Sequence, residues 1–512
     1  MFYQASQAPS SCGPATAVVL ADPPSAEDGE ALDALRRALE SADFTVEGIE
    51  DRLGTNELSL RPIDTAVHLR RLGDDRFGTL ARLFLLGASV RSDLLADVVA
   101  PLEVARLART GLLEAAEGEV SATARVAPHG DYYIASDFGL ESETPYDFVP
   151  GIQSPSVTLA KLAVRRHVRR ALDVGTGCGI QALLAAKHAS QVVATDVNPR
   201  ALGFAAFNVR LNGIDNVELR PGSAFDPVEG ERFDLVVANP PYVISPDASY
   251  AYRDSDLPAD ELCRRIVSDA PTFLEIGGFA HVLVSWAHAG DDEWAPPLRE
   301  WVAGGACDAW LLHYRTNDPL THAASWLRPL GETDLPAYEE AIDRWTGHLG
   351  GLGIEAVGYG AIVLRRRASG RAWIREDPLP LDRLEPAGEH TLRVFAAQDL
   401  LESGSDAELL DTRLVLTPEH RLEQWLEASE GGFEVQAQTL ELTDGLRFTV
   451  GVDRHTASLL PHLDGRPLRD ALAAAATTFE LEDAEKAAYT PAALPVVRRL
   501  LELGFLEAVD PA

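Results

Sequence analysis

The sequence has little of what would place it outside a reducing, aqueous compartment. It contains four cysteines, Cys12, Cys178, Cys263 and Cys307, widely separated and without a C-x-x-C pair. That distribution excludes a disulfide framework and a thioredoxin-type redox motif. No apolar run reaches the roughly 18 residues that a helix needs to span a bilayer. The first thirty residues lack a basic segment followed by an apolar one, so no secretory signal is expected. A cytoplasmic location without membrane contact is the resulting expectation. The 13 histidines are dispersed, with no H-E-x-x-H or related cluster, and no metal is expected.

Positive charge is the other scarcity. Asp and Glu number 79 against 45 Lys and Arg, a formal net charge of -34. Such a surface repels polyanions at long range and weighs against a nucleic-acid partner. A local basic cluster, Arg165, Arg166, Arg169 and Arg170, has the charge to hold phosphates, although a solvated helix face is its plainer reading.

What is present is ample apolar content, 46% of 512 residues, enough for two to four domains rather than one core. Residues 1–27 read as a flexible N-terminus. Within 28–145, helical periodicity over Ala31–Ala42, Ala66–Leu72, Phe77–Leu86, Ser92–Val99 and Leu102–Thr110 precedes alternating segments at Glu119–Val126 and Asp131–Ser136. Helices followed by a small hairpin describe a winged-helix-like unit. Residues 146–370 change to apolar strands alternating with helices. Residues 371–512 read as an α+β unit, again with a winged-helix-like end. There Leu459–Ala476 and Ala492–Leu503 read as helices, and Leu503 to Glu507 repeats a pattern seen at Arg109 to Glu114: a helix ended by glycine, then an apolar strand.

In the middle segment strands are expected at Arg170–Asp173, Gln191–Asp196, Val217–Pro221, Phe233–Ala238, Phe279–Trp286, Asp308–Tyr314 and Gly360–Arg366. Seven strands with intervening helices call for a Rossmann-like α/β sheet covered on both faces. The long link before the last strand suits an antiparallel return.

The first strand ends in Asp173-Val174-Gly175-Thr176-Gly177-Cys178-Gly179. Glycines at alternate positions let the backbone turn sharply and lie against a ligand. The order D-x-G-x-G-x-G differs from the G-x-G-x-x-G of nicotinamide sites. The second strand closes on Asp196, where a carboxylate accepts both hydroxyls of a ribose. Val197 beside it offers a purine an apolar face. Ser223 and Ala224 close the third strand, where the base is expected. Three strand ends thus converge on one nucleoside.

The fourth strand delivers Asn239-Pro240-Pro241-Tyr242. Consecutive prolines forbid helix and stiffen an extended loop. An amide or exocyclic amine, whose lone pair is delocalised, is a weak nucleophile that must be held in line with its electrophile. The Asn239 side-chain oxygen and the Pro240 carbonyl can accept its two N–H groups, while Tyr242 stacks on the flat group that bears it. Asn239, Pro240, Pro241 and Tyr242 are therefore the candidate catalytic residues.

Asp173 to Gly179, Asp196 and Asn239 to Tyr242 resemble the signature of class I S-adenosylmethionine-dependent methyltransferases of the N-P-P-Y group. That group includes release-factor glutamine, ribosomal RNA guanine-N2 and DNA adenine-N6 methyltransferases. The resemblance implies S-adenosyl-L-methionine as cofactor. It places Gly175, Gly177 and Gly179 at the methionine part, Asp196 at the ribose, and Asn239 to Tyr242 around the target nitrogen. Asp173, Val197, Ser223, Ala224 and Asn239 complete the expected cofactor site. Many relatives carry Asp where Ser223 stands here, so the adenine contact is altered.

For the acceptor, Phe148 in the loop Tyr146 to Ser156 and Arg253 in Tyr250-Ala251-Tyr252-Arg253-Asp254 are candidate contacts beside Tyr242. Interdomain connection and surface ion pairing are their plainer readings. The expected activity is methyl transfer to a planar nitrogen of a protein side chain or small molecule. The alternatives are a nucleic-acid base methyltransferase and a non-catalytic, cofactor-sensing scaffold.

Overall fold

Apolar segments that alternate with helices can bury both faces only inside a sheet covered on both sides. The computed structural model describes residues 20–55, 62–139, 145–247, 251–253, 257–290, 293–429, 431–478 and 483–510. Its central sheet contains β1 (Val168–Val174), β2 (Ala189–Asp196), β3 (Val217–Pro221), β4 (Phe233–Ala238), β5 (Leu274–His288), β6 (Cys307–Asn317), β7 (Ala356–Arg366) and β8 (Ile374–Pro378). The spatial order is β8-β6-β7-β5-β4-β1-β2-β3. β1 to β5 pair in parallel, and β7 runs antiparallel to both β5 and β6.

The seven expected strands are all present, and the count is corrected to eight. β8 pairs in parallel with β6 at the sheet edge, so the sheet continues past residue 370. Its sequence, Ile-Arg-Glu-Asp-Pro, is half exposed and gives no apolar run from which to read a strand.

Side chains of successive strand residues point to opposite faces, and the core follows that rule. Ala171, Val192, Leu235, Phe279, Trp310 and Val363 share one buried cluster. Leu172, Val193, Val236, Ala280, Leu311 and Ile362 share the other. Helices α1 (Ser154–Leu162), α2 (Ile180–Ala186), α3 (Pro199–Leu211), α4 (Glu261–Phe273), α5 (Ala295–Val302), α6 (Pro319–Thr333) and α7 (Leu335–Gly351) lie among these connections. The strand order departs in two directions from β1, so the crevice beyond the carboxyl ends of β1 and β4 is where a ligand is expected.

Ahead of the sheet, the helices Gly29–Ser41 to Val104–Ala108 accompany a three-stranded sheet ordered Val90–Arg91, Glu119–Ala122, Leu113–Ala116. A hairpin, Arg125–His129 with Tyr132–Ser136, lies against α3. The Asn208 and Asn212 side chains of α3 hydrogen-bond the backbone of Ala135 and Tyr133, at 2.7–2.8 Å. The continuous segment read as Glu119–Val126 is therefore two strands of two different sheets. The helix Val46–Leu53, capped by Thr45, was not among the expected elements.

After the sheet, Asp464–Pro467, Arg413–Leu416 and Leu506–Ala508 form a second three-stranded sheet. The unit strand, helix, helix, positive-φ glycine, strand occurs at both ends, with Gly111 at φ 82° and Gly504 at φ 74°. The middle strand has different sources. In the first sheet it follows the unit, and in the second it precedes it, so the likeness is local. The segment read as one helix over Leu459–Ala476 is broken by Asp464–Pro467.

The later part of the chain is fastened to the sheet by Asp308, which is fully buried in β6. Its carboxylate accepts from Arg365 at 2.6 Å, from Arg367 at 2.8 Å and from the Trp373 backbone N–H at 3.2 Å. Arg365 also donates to Asp399. Removing one partner of a buried network leaves uncompensated charge at a cost of about 3–5 kcal/mol. Asp308→Ala is expected to lower unfolding free energy by that amount in urea titration; a loss below about 1 kcal/mol would contradict the role.

Candidate active site

The chain turns out of β1 through three residues with left-handed backbone: Gly175 at φ 71°, Gly177 at 56° and Gly179 at 89°. Side-chain-bearing residues rarely adopt such angles. The three glycines nevertheless do different things. A Cβ on Gly175 or Gly177 would meet no protein atom within 4 Å, whereas one on Gly179 would sit 3.2 Å from the Cα and Cβ of Ala205. Gly175 and Gly177 line the cavity and Gly179 does not. Gly179 lets α2 approach α3.

Asp196 holds this turn together. Its carboxylate accepts from Gly177 N–H at 2.9 Å and from Asn198 N–H at 2.8 Å. Burial raises its pKa against the lowering effect of the Asn198, Gly177 and Val197 backbone N–H groups. A carboxylate has about four acceptor positions, so these contacts do not exhaust it. Val197, 63% exposed, lies next to it, and Ser223 and Ala224 line the same cavity at the end of the neighbouring strand β3.

Asp173 lies deeper, at 1% exposure. It accepts from Thr176 Oγ1 at 2.6 Å and from the Ala182 backbone N–H at 3.0 Å. It therefore ties the glycine turn to the start of α2 as well as lining the cavity. Burial lifts its pKa to about 7.

At the end of β4, Asn239, Pro240, Pro241 and Tyr242 all line the same cavity. The Asn239 side-chain oxygen is buried and accepts no hydrogen bond. An unsatisfied buried acceptor costs about 1–3 kcal/mol. The corner is fixed from behind: Ser285 Oγ donates to the Tyr242 carbonyl, and buried His322 lies 2.7 Å from the Ile244 carbonyl and 2.5 Å from the Tyr359 hydroxyl. A carbonyl can only accept, so Nε2 of His322 carries the proton. Burial depresses the His322 pKa to about 4, leaving Nδ1 bare to accept from Tyr359. Tyr359 in turn accepts from Trp326 Nε1 at 3.0 Å. Trp326 meets the Tyr242 ring edge-on, with centroids 6.4 Å apart.

The loop before α1 crosses this cavity and is pinned rather than free. Val149 and Asp137 exchange backbone and side-chain hydrogen bonds at 3.1 and 2.8 Å, and Asp137 forms a buried ion pair with Arg200 of α3. Asn198 donates to the Asp147 carbonyl and Gln181 to that of Ser156. Phe148 packs on Tyr252 at 5.9 Å. Arg253 is buried, with its guanidinium 5.5 Å from the centre of the Trp345 ring. Tyr250 and Asp254 lie outside the described residues.

Expected residues that gather at the cavity are thus Phe148, Asp173, Gly175, Gly177, Asp196, Val197, Ser223, Ala224, Asn239 to Tyr242 and Arg253. Sequence reading missed Thr176, Gln181, Asn198 and Trp326. Asn198 was legible, since Asn before Pro199 is an N-cap signal. Trp326 sits on a distant helix and carried none. The basic cluster serves the opposite edge: Arg169 pairs with Glu275, Arg170 with Glu231, Arg165 donates to Ala160 and Arg166 to Gly277. Among the described residues no cluster of metal-ligating side chains is found.

The raised Asp173 pKa has a definite sign. The native chain retains a proton that the unfolded chain loses above about pH 4. The stabilisation from this group is full below that pH and is lost as pH rises through about 7. The stability of Asp173→Asn relative to the unsubstituted chain is expected to grow from about pH 5 to 8 in denaturant titrations. Parallel pH curves for the two would contradict the buried, protonated carboxyl.

Residues 153–290 match the family model described as methyltransferase small domain. Residues 41–123 and 393–508 match two families described as domains of unknown function. A release factor glutamine methyltransferase of Xylella fastidiosa (strain 9a5c) is 34% identical over 145 residues, covering 25% of this chain and 53% of the relative. A ribosomal protein uL3 glutamine methyltransferase of Bradyrhizobium diazoefficiens is 37% identical over 124 residues, 22% of this chain and 39% of the relative. A relative from Methanocaldococcus jannaschii, described as a protein N5-glutamine methyltransferase, is 30% identical over 138 residues, 25% of this chain and 68% of the relative. The chain spans about half the length of the first curated relatives it matches. With its strand order, glycine turn, acid at the end of β2 and N-P-P-Y corner, the chain belongs to the class I S-adenosylmethionine-dependent methyltransferases of the N-P-P-Y group.

Proposed function

We propose that the chain transfers a methyl group from S-adenosylmethionine to a planar side-chain nitrogen of a protein, with the amide of glutamine as the acceptor group. The observation that carries this reading is the buried Asn239 oxygen that accepts no hydrogen bond. An acceptor kept empty beside a nucleoside-shaped cavity suits a donor that arrives with the substrate. The relatives' activities on two different proteins share the glutamine amide, which supports the acceptor group and leaves its protein a separate question.

The residues present fit the cofactor. Gly175 and Gly177 leave open space above the turn, Asp196 keeps acceptor capacity for a ribose, and Val197, Ser223 and Ala224 line the cavity beside it. Bound there, S-adenosylmethionine supplies an electrophilic methyl group. The chain's own contribution is to hold the nitrogen. Asn239 Oδ1 accepts one amide N–H and the Pro240 carbonyl the other, which draws the nitrogen out of conjugation. Tyr242, backed by Trp326, stacks on the amide plane. Burial pushes the Tyr242 hydroxyl pKa upward, so Tyr242 stays neutral and acts as a surface rather than a base; the nitrogen, cationic once methylated, releases its proton to water as the demethylated thioether leaves. Positioning of this kind contributes roughly 7–11 kcal/mol in well-oriented reactions.

Phe148 and Arg253 are the proposed acceptor contacts at the mouth. The division into a terminal segment 1–27, a winged-helix-like unit 28–145, the methyltransferase unit 146–370 and a unit 371–512 is likewise a proposal. The strand order of the first small sheet supports a winged-helix reading, with a protein-contact role in so acidic a chain. Among the described residues no helix is long and apolar enough to cross a membrane.

Incubation with methyl-labelled cofactor and fractionated cell extract tests the reading. Label is expected in protein, on glutamine. Asn239→Ala is expected to lower incorporation at least 100-fold, about 2.7 kcal/mol, while binding of the demethylated cofactor changes little. Unchanged incorporation by that variant, or label confined to nucleic acid, would contradict it.

A further inference from the structure

The chain carries a β-hairpin with two unlike faces that its own described residues leave uncovered. Strand His420–Ser429 pairs antiparallel with Gly432–Leu442, and the second strand is joined near its base by Thr449–Gly451. The first strand has one neighbour and forms the sheet's edge. Directly paired residues of an antiparallel ladder share a face. The pairs Leu422 with Leu440, Leu426 with Val435 and Ala428 with Phe433 therefore lie on one face. The pairs Glu423 with Thr439, Trp425 with Ala437 and Glu427 with Glu434 lie on the other.

Near the base the apolar face is used, because Leu440 and Leu442 are buried in the core beside the central sheet. Toward the tip it is not: Leu426 is 53% exposed, Val435 45% and Phe433 74%. On the opposite face Trp425 is 69% exposed. Glu427 and Glu434 stand directly across from each other, and neither forms an ion pair among the described residues. Like charges so placed repel and destabilise the pairing. Edge strands are ordinarily protected by lysine, by proline or by a bulge on the edge itself. From Leu422 to Ser429 the edge has neither Lys nor Pro, and the register irregularity places the extra residue, Gln436, on the other strand.

From this placement we infer that the edge strand Leu422 to Ala428 is a docking site for an extended protein segment of alternating apolar and basic residues, which adds to the hairpin as a further strand. Strand addition satisfies the edge's backbone groups, and alternate side chains supply specificity. The period of two sends every second residue of the added strand to the Leu426 and Phe433 face and the others to the Glu427 and Glu434 face; Glu423 is already paired with Arg421 at 3.0 Å. The first set must be apolar and the second cationic. A second copy of this chain is a poor occupant, since pairing two such edges brings more carboxylates together and each copy carries a net charge of -34. Nucleic acid and anionic lipid are opposed by the same carboxylates. The inference does not depend on the methyl-transfer reading.

Fluorescence anisotropy on the full chain tests it, with labelled twelve-residue peptides of alternating Lys and Val, of alternating Glu and Val, and a Lys and Val peptide N-methylated at every second residue. Saturable binding of the unmodified Lys and Val peptide is expected, with at least tenfold weaker binding of the other two. The double substitution Glu427→Lys with Glu434→Lys should reverse the preference between the charged peptides. Phe433→Ala should weaken binding without changing the circular dichroism of the chain. Equal binding of all three peptides would overturn the inference. So would indifference to the charge reversal, or concentration-dependent dimerisation lost on that reversal. Binding of RNA or anionic vesicles through these residues would overturn it as well.

Discussion

The side-chain oxygen of Asn239 is held in a buried position with no donor, and much of the surrounding structure serves to keep it so. β4 fixes where the corner begins, and the two prolines remove the freedom by which the chain would collapse onto the oxygen. Behind the corner, Ser285 takes the Tyr242 carbonyl and neutral His322 takes that of Ile244. His322 is itself oriented by Tyr359, and Tyr359 by Trp326. Each group in this relay has one partner its chemistry allows, so the corner has one conformation. Ser285, His322, Tyr359 and Trp326 are committed to other partners, so none of them turns to the unmet acceptor.

The nucleoside side of the cavity follows a different logic, in which one carboxylate organises the backbone and retains capacity for a ligand. Asp196 spans the glycine turn and the first turn of α3, and α3 carries Arg200, whose buried pair with Asp137 fastens the loop over the pocket. The hairpin ahead of that loop is bound to α3 by Asn208 and Asn212. The N-terminal region is thus continuous with the cofactor side of the site, through side chains of a single helix. Asp308 and its arginines do the corresponding work for the C-terminal region on the far side of the sheet.

Most of the central sheet was legible in the sequence because β2, β4, β5, β6 and β7 hold long buried apolar runs. The motifs were legible for a related reason: a sharp turn demands glycine, a ribose demands an acceptor, and a rigid exit demands proline. Legibility failed where burial is one-sided. β8 and the hairpin 420–442 mix charge with apolar residues, and β8 pairs with a strand distant in sequence. Gly179 shows a further limit, since a positive φ is required equally for contact with a ligand and for the packing of two helices. The pattern alone does not separate these, whereas the 3.2 Å approach of Ala205 does. Trp326 and His322 contribute from a helix about 80 residues beyond the corner they support, and no local spacing announces them.

The central claim concerns one oxygen and one incoming amide. It is tested most directly with a ligand in which the cofactor's nucleoside is joined, at the position of its transferable methyl, to the side-chain nitrogen of a glutamine analogue. The account predicts that titration calorimetry finds this conjugate at least tenfold tighter than the nucleoside alone, about 1.4 kcal/mol. It also predicts that Asn239→Ala removes that gain while leaving the nucleoside's own affinity in place. Equal affinity of conjugate and nucleoside, or a gain that survives the substitution, would contradict it.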